Sequence, residues 1–334
     1  MKNIAVVILN FNGRHFLEKF LQNTLDHSPE AEVVVIDNAS TDTSVSYLEA
    51  AFPELRLITL DKNYGFAEGY NRGLANLHHD YFILLNSDVE VTRGWILPLL
   101  QISLARRDIA AIQPKILDYH RKTHFEYAGA AGGFLDVLGY AFCRGRIFDQ
   151  LEEDKGQYNT PSEIFWASGA CFFVRAEIFR SLKGFDARFF AHMEEIDLCW
   201  RIHNLGYQVV CQPASVVYHV GGGTLSAENP FKTYLNFRNN LAMMFKNLPA
   251  KYLFPLLFLR LALDGVTGVR FLLQGSVSNL WAILKSHFMF YRWLPYLARH
   301  RSKSFRGFEK LYSGSVVWDY FIKRKKTYSE ICSE

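Results

Sequence analysis

The amino-acid sequence predicts an α/β protein, with a mostly parallel sheet flanked by helices and a helical C-terminal appendix. Apolar runs of strand length alternate with helical patterns in the first part of the chain, and polar residues follow each run. Such alternation favours parallel pairing through right-handed crossovers. Because the carboxyl ends of parallel strands meet at one edge, these polar residues are expected to line the crevice where α/β sheets bind ligands.

Two strand–loop–helix units open the chain. The first strand is predicted over 4–9 and the second over 33–36, because both are short aliphatic runs bounded by polar residues. A helix follows each strand, marked by apolar residues at helical spacing: Leu17, Phe20, Leu21 and Leu25 in the first, and Val45, Leu48 and Phe52 in the second. The loops between strand and helix then lie at the same edge of the sheet.

A third strand is predicted over 55–60 and a fourth over 81–85. The third precedes a helix that is expected to end near Leu77, and the fourth runs directly into Asn86-Ser87-Asp88. Mg²⁺ and Mn²⁺ prefer oxygen ligands and commonly share them with substrate phosphates, so one carboxylate at this strand end suffices for a metal–diphosphate site. An aspartate that only caps the turn is the alternative.

Five ordered motifs resemble the family-2 glycosyltransferases and, within them, the rhamnosyltransferase-like branch. They lie at 7–12, 35–42, 63–67, 85–88 and 193–198. The resemblance covers about residues 2–249. It implies a glycosyltransferase-A fold with a Rossmann-like sheet, and an inverting enzyme that moves a sugar from a nucleotide-diphosphate donor to a hydroxyl of a lipid-linked surface glycan.

The resemblance assigns the first two loops to the nucleotide. It places Asn10 and Asn12 near the base and ribose, and it makes Asp37 an acceptor of a hydrogen bond from the base. Asp42 lies close by and either contacts the ligand or caps the following helix, because aspartate is among the preferred capping residues.

The third loop is implied to pass under the donor. Asn63 and Gly65 match this loop, where a glycine lets the backbone approach a ligand closely. Asn71 either faces the same ligand or ties the loop to its helix. Asn86 replaces the more common aspartate and cannot supply a second charge, so it is expected to hydrogen-bond the donor or a metal-bound water. Ser87 is assigned to the donor.

A divalent cation, Mn²⁺ or Mg²⁺, is the cofactor that the resemblance implies. Asp88 is the expected direct ligand. His219, at the end of the strand-like run 215–218, matches the histidine that reaches the same ion in related enzymes. A strand-end histidine satisfied by the backbone is the alternative.

The acceptor side and the general base are assigned further along the chain. Trp166, Gly169 and Ala170 lie in a segment resembling the border of the acceptor pocket. Three acids then open a helix: Glu195 matches the position of the base, and its neighbours Glu194 and Asp197 are further candidates. Mutual repulsion should raise the pKa of at least one of these carboxyl groups, which suits a general base. The alternative is that the acids only stabilise the helix start, because the helix dipole favours negative charge there.

One basic residue of a later helix completes the expected donor site. Arg238 is assigned to the diphosphate, with a solvated helix face as the alternative. The sequence therefore predicts two regions: a catalytic domain over 1–249 and a basic, apolar helical region over 250–334, too short for an independent globule of average size.

Charge is unevenly divided between these regions. From Lys246 onward there are 15 Lys and Arg against 5 Asp and Glu, whereas the preceding residues carry 22 against 28. A basic tail with apolar helices predicts an anionic membrane surface as partner; a helical subdomain packed on the catalytic domain is the alternative. Nucleic acid is not expected, because no recognised nucleic-acid motif accompanies the basic residues.

The apolar run 4–9 is short for an export signal, so the enzyme is expected in the cytoplasm, peripheral on the inner face of the membrane. Two other functions stay open. The same fold also occurs in nucleotide-sugar-binding modules that have no transferase activity. Asn86 and Glu195 depart from the common family residues, and these departures would support that alternative. A nucleotidyltransferase is less suited, because 10–13 is not a glycine-rich triphosphate loop.

Overall fold

A computed structural model describes residues 3–221 and 229–332 of the chain. Its first part alternates strands and helices: β1 (Ile4–Asn10), α1 (Arg14–Asp26), β2 (Glu32–Asp37), α2 (Ser44–Ala51), β3 (Arg56–Thr59), α3 (Gly65–Leu74) and β4 (Tyr81–Asn86). The four predicted strands and three helices are confirmed. Helix α3 ends at Leu74 rather than near Leu77, because the backbone tightens there into a turn in which Leu77 N donates to Leu74 O over 3.1 Å.

The middle of the chain adds further strands, of which β6 and β13 are the longest, and further helices. They are β5 (Val89–Val91), α4 (Ile96–Ala105), β6 (Ile109–Asp118), β7 (Gly133–Leu135), β8 (Ala141–Cys143), β9 (Arg146–Ile147), β10 (Gln150–Leu151), β11 (Ser162–Ile164), β12 (Cys171–Arg175), α5 (Ala176–Ser181), α6 (Glu194–Asn204), β13 (Gln208–His219) and α7 (Pro230–Asn247). A short 3₁₀ helix covers Ala187–Phe189. The glycine-rich residues 222–224 after His219 lie outside the described residues.

The main sheet has the order β11-β13-β6-β12-β4-β1-β2-β3, with β5 paired to β13. Its β4-β1-β2-β3 part is parallel, as predicted. Strand β12 runs antiparallel between β4 and β6, so the other half is mixed. A separate sheet has the order β10-β9-β8-β7.

Both faces of the parallel part are buried. Ala5 and Val7 of β1 pack into the hydrophobic core on one face, and Val6 and Ile8 into the core on the other. This is why β1 is a continuous aliphatic run rather than an alternating one. The sheet is thereby held rigidly, and its carboxyl edge carries the loops of the candidate site.

The C-terminal region is helical: α8 (Ala250–Leu273), α9 (Val277–Arg299), a 3₁₀ helix (Arg306–Lys310), α10 (Val316–Phe321) and α11 (Tyr328–Cys332). It is packed on the rest of the protein, since Leu257, Phe290 and Leu297 belong to the main hydrophobic core. The regions predicted at 1–249 and 250–334 therefore share a core. In the described part of the chain, no helix has both the length and the apolar character needed to cross a membrane.

Candidate active site

Asn10 and Asp37 meet at the carboxyl edge of the sheet. They are register partners on the paired strands β1 and β2, and Asn10 Nδ2 donates to Asp37 Oδ2 over 2.9 Å. Both residues are only 1% exposed, and Ser40 N donates to the other Asp37 oxygen over 2.8 Å. Asn10 Oδ1 is buried without a hydrogen-bond partner among the described residues. The pair is thus rigid and retains one acceptor for a ligand.

Asn12 and Asp42 join the first two loops to each other. Asn12 has a φ of 52° and its Oδ1 accepts from Thr41 N over 2.7 Å. Asp42 accepts from Ser44 N at the start of α2 and from Arg14 N at the start of α1, over 3.0 and 3.2 Å. Although burial opposes it, the hydrogen bonds to Ser44 and Arg14 lower the pKa of Asp42. Asp42 thus accepts from the first residue of α2, although the N-cap position itself is Thr43 and makes no side-chain cap hydrogen bond.

The third loop is fixed by an asparagine that the sequence analysis did not assign. Asn38 Nδ2 donates to Asn63 Oδ1 over 3.1 Å and to Gly65 O over 3.0 Å. Gly65 has a φ of +75°, and a Cβ there would lie 2.5 Å from the Phe190 side chain. Both the backbone angle and the lack of space therefore favour glycine at this position. Asn71 exchanges hydrogen bonds of 2.9 Å with both backbone groups of Phe185, so it ties α3 to the segment around Phe185 rather than to the third loop.

Asp88 and His219 approach each other as the metal hypothesis requires. Asp88 Oδ1 lies 3.1 Å from His219 Nε2, and Asn86 Nδ2 lies 3.5 Å from the same nitrogen. Adjacent ligands of an octahedral Mg²⁺, at about 2.0–2.1 Å from the ion, are about 3 Å apart. The two side chains, from distant parts of the sequence, therefore fit a shared divalent ion.

Glu126 is a third member of this group that sequence reasoning missed. Its Oε2 lies 3.3 Å from His219 Nδ1, within ion-pair distance but not aligned as a hydrogen bond. Against the effect of burial, the carboxylates of Asp88 and Glu126 raise the pKa of His219 to about 10. A carboxylate behind a histidine commonly orients it toward a metal. Nothing in the sequence around Glu126 indicates this contact.

Ser87 lies on the same edge, next to the nucleotide loop. A Cβ on Gly13 would stand 2.5 Å from Asn10 Oδ1 and 3.6 Å from Ser87 Oγ. Gly13 therefore keeps a narrow space open between the end of β1 and the metal triplet. The predicted donor residues Asn10 and Ser87 border that space from opposite sides.

The acids at the start of α6 differ in their surroundings. Glu194 and Glu195 each have a buried Oε2 with no hydrogen-bond partner among the described residues. Burial raises the pKa of Glu195 to about 7, and burial together with repulsion from Glu195 raises the pKa of Glu194 well above its ordinary value. Burial and mutual repulsion therefore disfavour ionisation of both acids at once.

Asp197 has the opposite environment. Arg201 Nε donates to it over 2.8 Å, and Lys246 and Asn247 donate over 3.0 Å each. Although burial opposes ionisation, Lys246 and Arg201 lower the pKa of Asp197. A fully paired carboxylate with a lowered pKa is a poor proton acceptor, so these contacts favour a structural role over that of the base.

The loop before these acids has an unusual backbone. Phe190, His192 and Met193 have φ angles of 67°, 69° and 70°. Non-glycine residues with positive φ cost free energy and persist only where the surroundings hold them, often at functional sites. Burial lowers the pKa of His192 to about 4, so its imidazole is neutral near the candidate base.

Helix α7 holds this loop. Asn239 Nδ2 donates to the carbonyls of Phe189, Ala191 and His192 over 2.7 to 2.9 Å. Arg238 donates to Phe189 O over 3.0 Å and is only 6% exposed. Arg238 is therefore neither on a solvated face nor free to hold a diphosphate, because its guanidinium is already bonded to the loop. The sequence analysis did not assign Asn239 at all.

The predicted acceptor segment borders the same region. Asn86 N donates to Ala170 O over 3.0 Å, and a Cβ on Gly169 would lie 3.1 Å from the Phe66 ring. Trp166 is 4% exposed and donates to Phe134 O over 2.9 Å, so it packs in the core behind the segment. Gly169 and Ala170 are thus beside the metal triplet and the donor loop, whereas Trp166 supports them from inside.

Known proteins match this chain in sequence and fold. The profile of the family described as Glycosyl transferase family 2 matches residues 5–182. The N-acetylglucosaminyl-diphospho-decaprenol L-rhamnosyltransferase of Mycobacterium tuberculosis is 29% identical over 237 residues, which are 65% of this chain and 75% of that protein. The sequence resemblance to the rhamnosyltransferase-like branch is confirmed.

Two solved structures show the shared glycosyltransferase-A fold. TarS of S. aureus in complex with UDP-GlcNAc has a TM-score of 0.58 at 14% identity, over 90% of this chain and 84% of that one. GalNAc-T7 with UDP, GalNAc and Mn²⁺ also has a TM-score of 0.58, at 16% identity, over 75% of this chain and 49% of that one. At sequence identities this low, the similarity is evidence for a shared fold alone.

Proposed function

The chain belongs to glycosyltransferase family 2, and from that premise we propose that it transfers a sugar from a nucleotide-diphosphate donor to a hydroxyl of a lipid-linked surface glycan, with inversion. The observation that supports this most is that the fold provides both a candidate metal site and a half-buried carboxylate with an unpartnered oxygen and a raised pKa. Asp88 and His219 lie 3.1 Å apart, and the pKa of Glu195 is about 7. A metal–diphosphate site and a general base are what direct glycosyl transfer needs.

In the proposed reaction the acceptor hydroxyl attacks the anomeric carbon of the donor. The new bond joins the acceptor oxygen to that carbon, the bond from the carbon to the diphosphate breaks, and the diphosphate leaves with its electron pair. Glu195 takes the hydroxyl proton, because its pKa of about 7 leaves it substantially ionised near neutral pH yet basic enough to accept one. The raised pKa of Glu194 disfavours a second negative charge beside it.

Asp88 and His219 would hold a divalent ion, Mn²⁺ or Mg²⁺, and Glu126 would orient the histidine. A bound ion would offset the negative charge on the departing diphosphate. The relative geometry of Asp88 and His219 supports their sharing one ion.

We assign the donor to the carboxyl edge of the parallel strands. Asn10, Asn12, Asp37 and Asp42 would contact the nucleoside, and Asn63, Gly65, Asn86 and Ser87 would line the path to the sugar. Gly169 and Ala170 would border the acceptor. We omit Arg238, Trp166 and Asp197 from direct contact, since their polar groups are already bonded within the protein.

We also propose that the enzyme works on the inner face of an anionic membrane. The relative from Mycobacterium tuberculosis is named for a decaprenol-linked substrate, and the C-terminal region of this chain is basic and apolar. A lipid-linked acceptor would be met at such a surface.

The test begins with donor binding. Nucleoside diphosphates and nucleotide sugars are screened by thermal shift with Mn²⁺, since a ligand that binds only the folded state raises its stability. Calorimetry on the best ligand then compares the parent with Asp88→Ala and His219→Ala. We expect Asp88→Ala to abolish Mn²⁺-dependent binding and His219→Ala to weaken it. Unchanged Mn²⁺-dependent affinity in both folded variants would refute the metal site.

The same preparation separates an enzyme from an inactive binding module. Release of nucleoside diphosphate from the identified donor is followed with and without a glycan acceptor. Turnover in the parent supports the transferase. Tight donor binding without either hydrolysis or transfer, over a range of acceptors, would instead support the inactive module.

A further inference from the structure

We propose that the outward face of helices α8 and α9 is the surface that binds an anionic lipid bilayer. The inference deepens the proposed function and rests on it, because a lipid-linked acceptor gives the enzyme a reason to meet a membrane. It assigns the contact to two helices rather than to the basic run 323–326 or to the C-terminal region as a whole.

Large apolar side chains cover the outward face of both helices. Six such residues are the most exposed: Phe254, Phe258, Val266 and Leu273 on α8, with Trp281 and Phe288 on α9. The exposed fractions of these six run from 63% at Phe258 to 82% at Leu273. Along each helix they are four, seven or eight positions apart, so they form a stripe along one side. Exposed patches of this kind mark interaction sites.

Three ionisable side chains of the same helices are turned inward. Arg260 is 5% exposed and Asp264 is fully buried, and their side chains pair over 2.7 Å. Arg260 also donates to Asn240 Oδ1 over 2.7 Å, and His287 of α9 lies 3.2 Å from Asp264. Helix α8 therefore turns an ion pair toward the protein, beside Leu257, and large apolar side chains toward its surroundings. A surface helix in water has the reverse arrangement.

The exposed charged side chains of α8 and α9 are all positive. Asp264 is the only acid between 250 and 299, and it is fully buried. The exposed ionisable side chains of the two helices are all basic: Lys251, Arg270, Lys285, Arg292 and Arg299. An apolar face bordered only by basic groups is complementary to an anionic lipid surface. Two copies of this face would bring like charges together, which disfavours symmetric self-association.

The helices would lie along the membrane surface. Among the described residues no helix is suited to cross the bilayer, so binding would be interfacial. The inner side of α9 packs against the loop that precedes the candidate base, since Ala282 and Met289 belong to the cluster that contains Phe190 and Ala191. A bilayer bound to the outer side would thus bring lipid-linked acceptors close to the loop that precedes Glu195.

The test is flotation of the full-length protein with vesicles of phosphatidylglycerol and phosphatidylcholine, and with phosphatidylcholine alone. We expect binding to the anionic vesicles that weakens with salt. The double variant Phe254→Glu with Phe258→Glu should lower the partition coefficient at least ~10-fold, since each buried phenylalanine contributes about that factor. The matched control is Leu97→Glu with Leu104→Glu on α4, which are 48% and 62% exposed and should leave partitioning unchanged.

Donor binding by calorimetry, without vesicles, is measured on every variant and shows that each is folded. A parent protein that ignores anionic vesicles at low salt would overturn the inference while leaving the proposed function intact. Equal loss in the α4 control would also overturn it. If light scattering shows a dimer that the α8 variant dissociates, the face binds a second copy instead. Vesicle binding by a protein that binds no nucleotide would refute the proposed function alone.

Discussion

Acidic side chains are arranged in opposite ways around the candidate base and in the layer where α6, α7 and α8 meet. In that layer each acid has cationic partners: Asp197 is paired with Lys246 and Arg201, and Asp264 with Arg260. At the site, Glu194 and Glu195 each keep an unpartnered oxygen, and the pKa values of both are raised. The comparison teaches that partners, rather than burial or residue type, separate a structural carboxylate from one available for chemistry.

The largest effect is expected from Glu195→Gln. The amide keeps the size of the side chain and loses its proton affinity, so transfer should fall by ~10² to 10⁴ while donor binding survives. Thermal stability should not fall, because the variant removes a buried, unpaired charge. Steady-state transfer and calorimetry are measured side by side.

Glu194→Gln is the matched control for Glu195→Gln. If Glu195→Gln transfers at the parent rate while Glu194→Gln does not, the base is Glu194 and the assignment is wrong. If both variants retain activity, a buried carboxylate oxygen without a hydrogen-bond partner does not identify the base in this protein.

Asp197→Ala should instead lower stability and leave the chemistry of transfer unchanged. It removes the common partner of Lys246 and Arg201, and breaking a buried ion pair typically costs ~3–5 kcal/mol. Chemical denaturation should show that loss in the free energy of unfolding. Any variant protein that stays folded should retain the pH profile of transfer. A stable Asp197→Ala protein that binds donor and has lost transfer would instead make Asp197 catalytic.

Glu126→Gln tests whether the Glu126 carboxylate affects metal binding by orienting His219. As the partner of His219 it is a positioning residue, and such changes typically lower metal affinity ~10- to 100-fold. Mn²⁺ titration of the protein, followed by calorimetry, measures this without relying on turnover. Glu163→Gln, which loses only a surface ion pair with Lys310, is the control. Parent-like Mn²⁺ affinity in Glu126→Gln would remove Glu126 from the site.

The smallest effect is the pH dependence of transfer. Glu195 must be ionised to accept a proton, and its pKa is about 7. At saturating donor the rate should therefore rise about tenfold between pH 6 and pH 8 and then level off. Because the folded pKa is raised, ionisation of Glu195 also lowers stability as pH rises from its ordinary pKa to about 7. Glu195→Gln should lack this decline, and a rate independent of pH over the same range would contradict the role of Glu195.

Much of the donor edge is predictable from sequence. Runs such as 4–9 and 33–36 are short, aliphatic and followed by polar residues, so their strands and the parallel order follow from local pattern. The meeting of Asn10 with Asp37 then follows from parallel register. The pairing of Asp88 with His219 required the family resemblance, since the two residues are far apart in the chain.

Other roles depended on contacts between distant elements. Asp197 looks like its acidic neighbours in the sequence, but Lys246 of α7 pairs with it. Trp166 resembles a residue of the acceptor border, yet its ring is buried and bonded to Phe134 O. Asn239 has no signal in the sequence, although its amide holds three carbonyls of the strained loop.

By itself, then, the sequence determined the alternation of strands and helices, the edge where polar loops gather and the basic, apolar character of the C-terminal region. The tertiary structure decided which charges are paired and which face of α8 is exposed. Arg260 and Asp264 interrupt an apolar run in the sequence, but in the fold they point inward and leave the outer face apolar. The physical reason is that periodicity reports a local backbone preference, whereas pairing and exposure depend on which distant side chains come to share the same space.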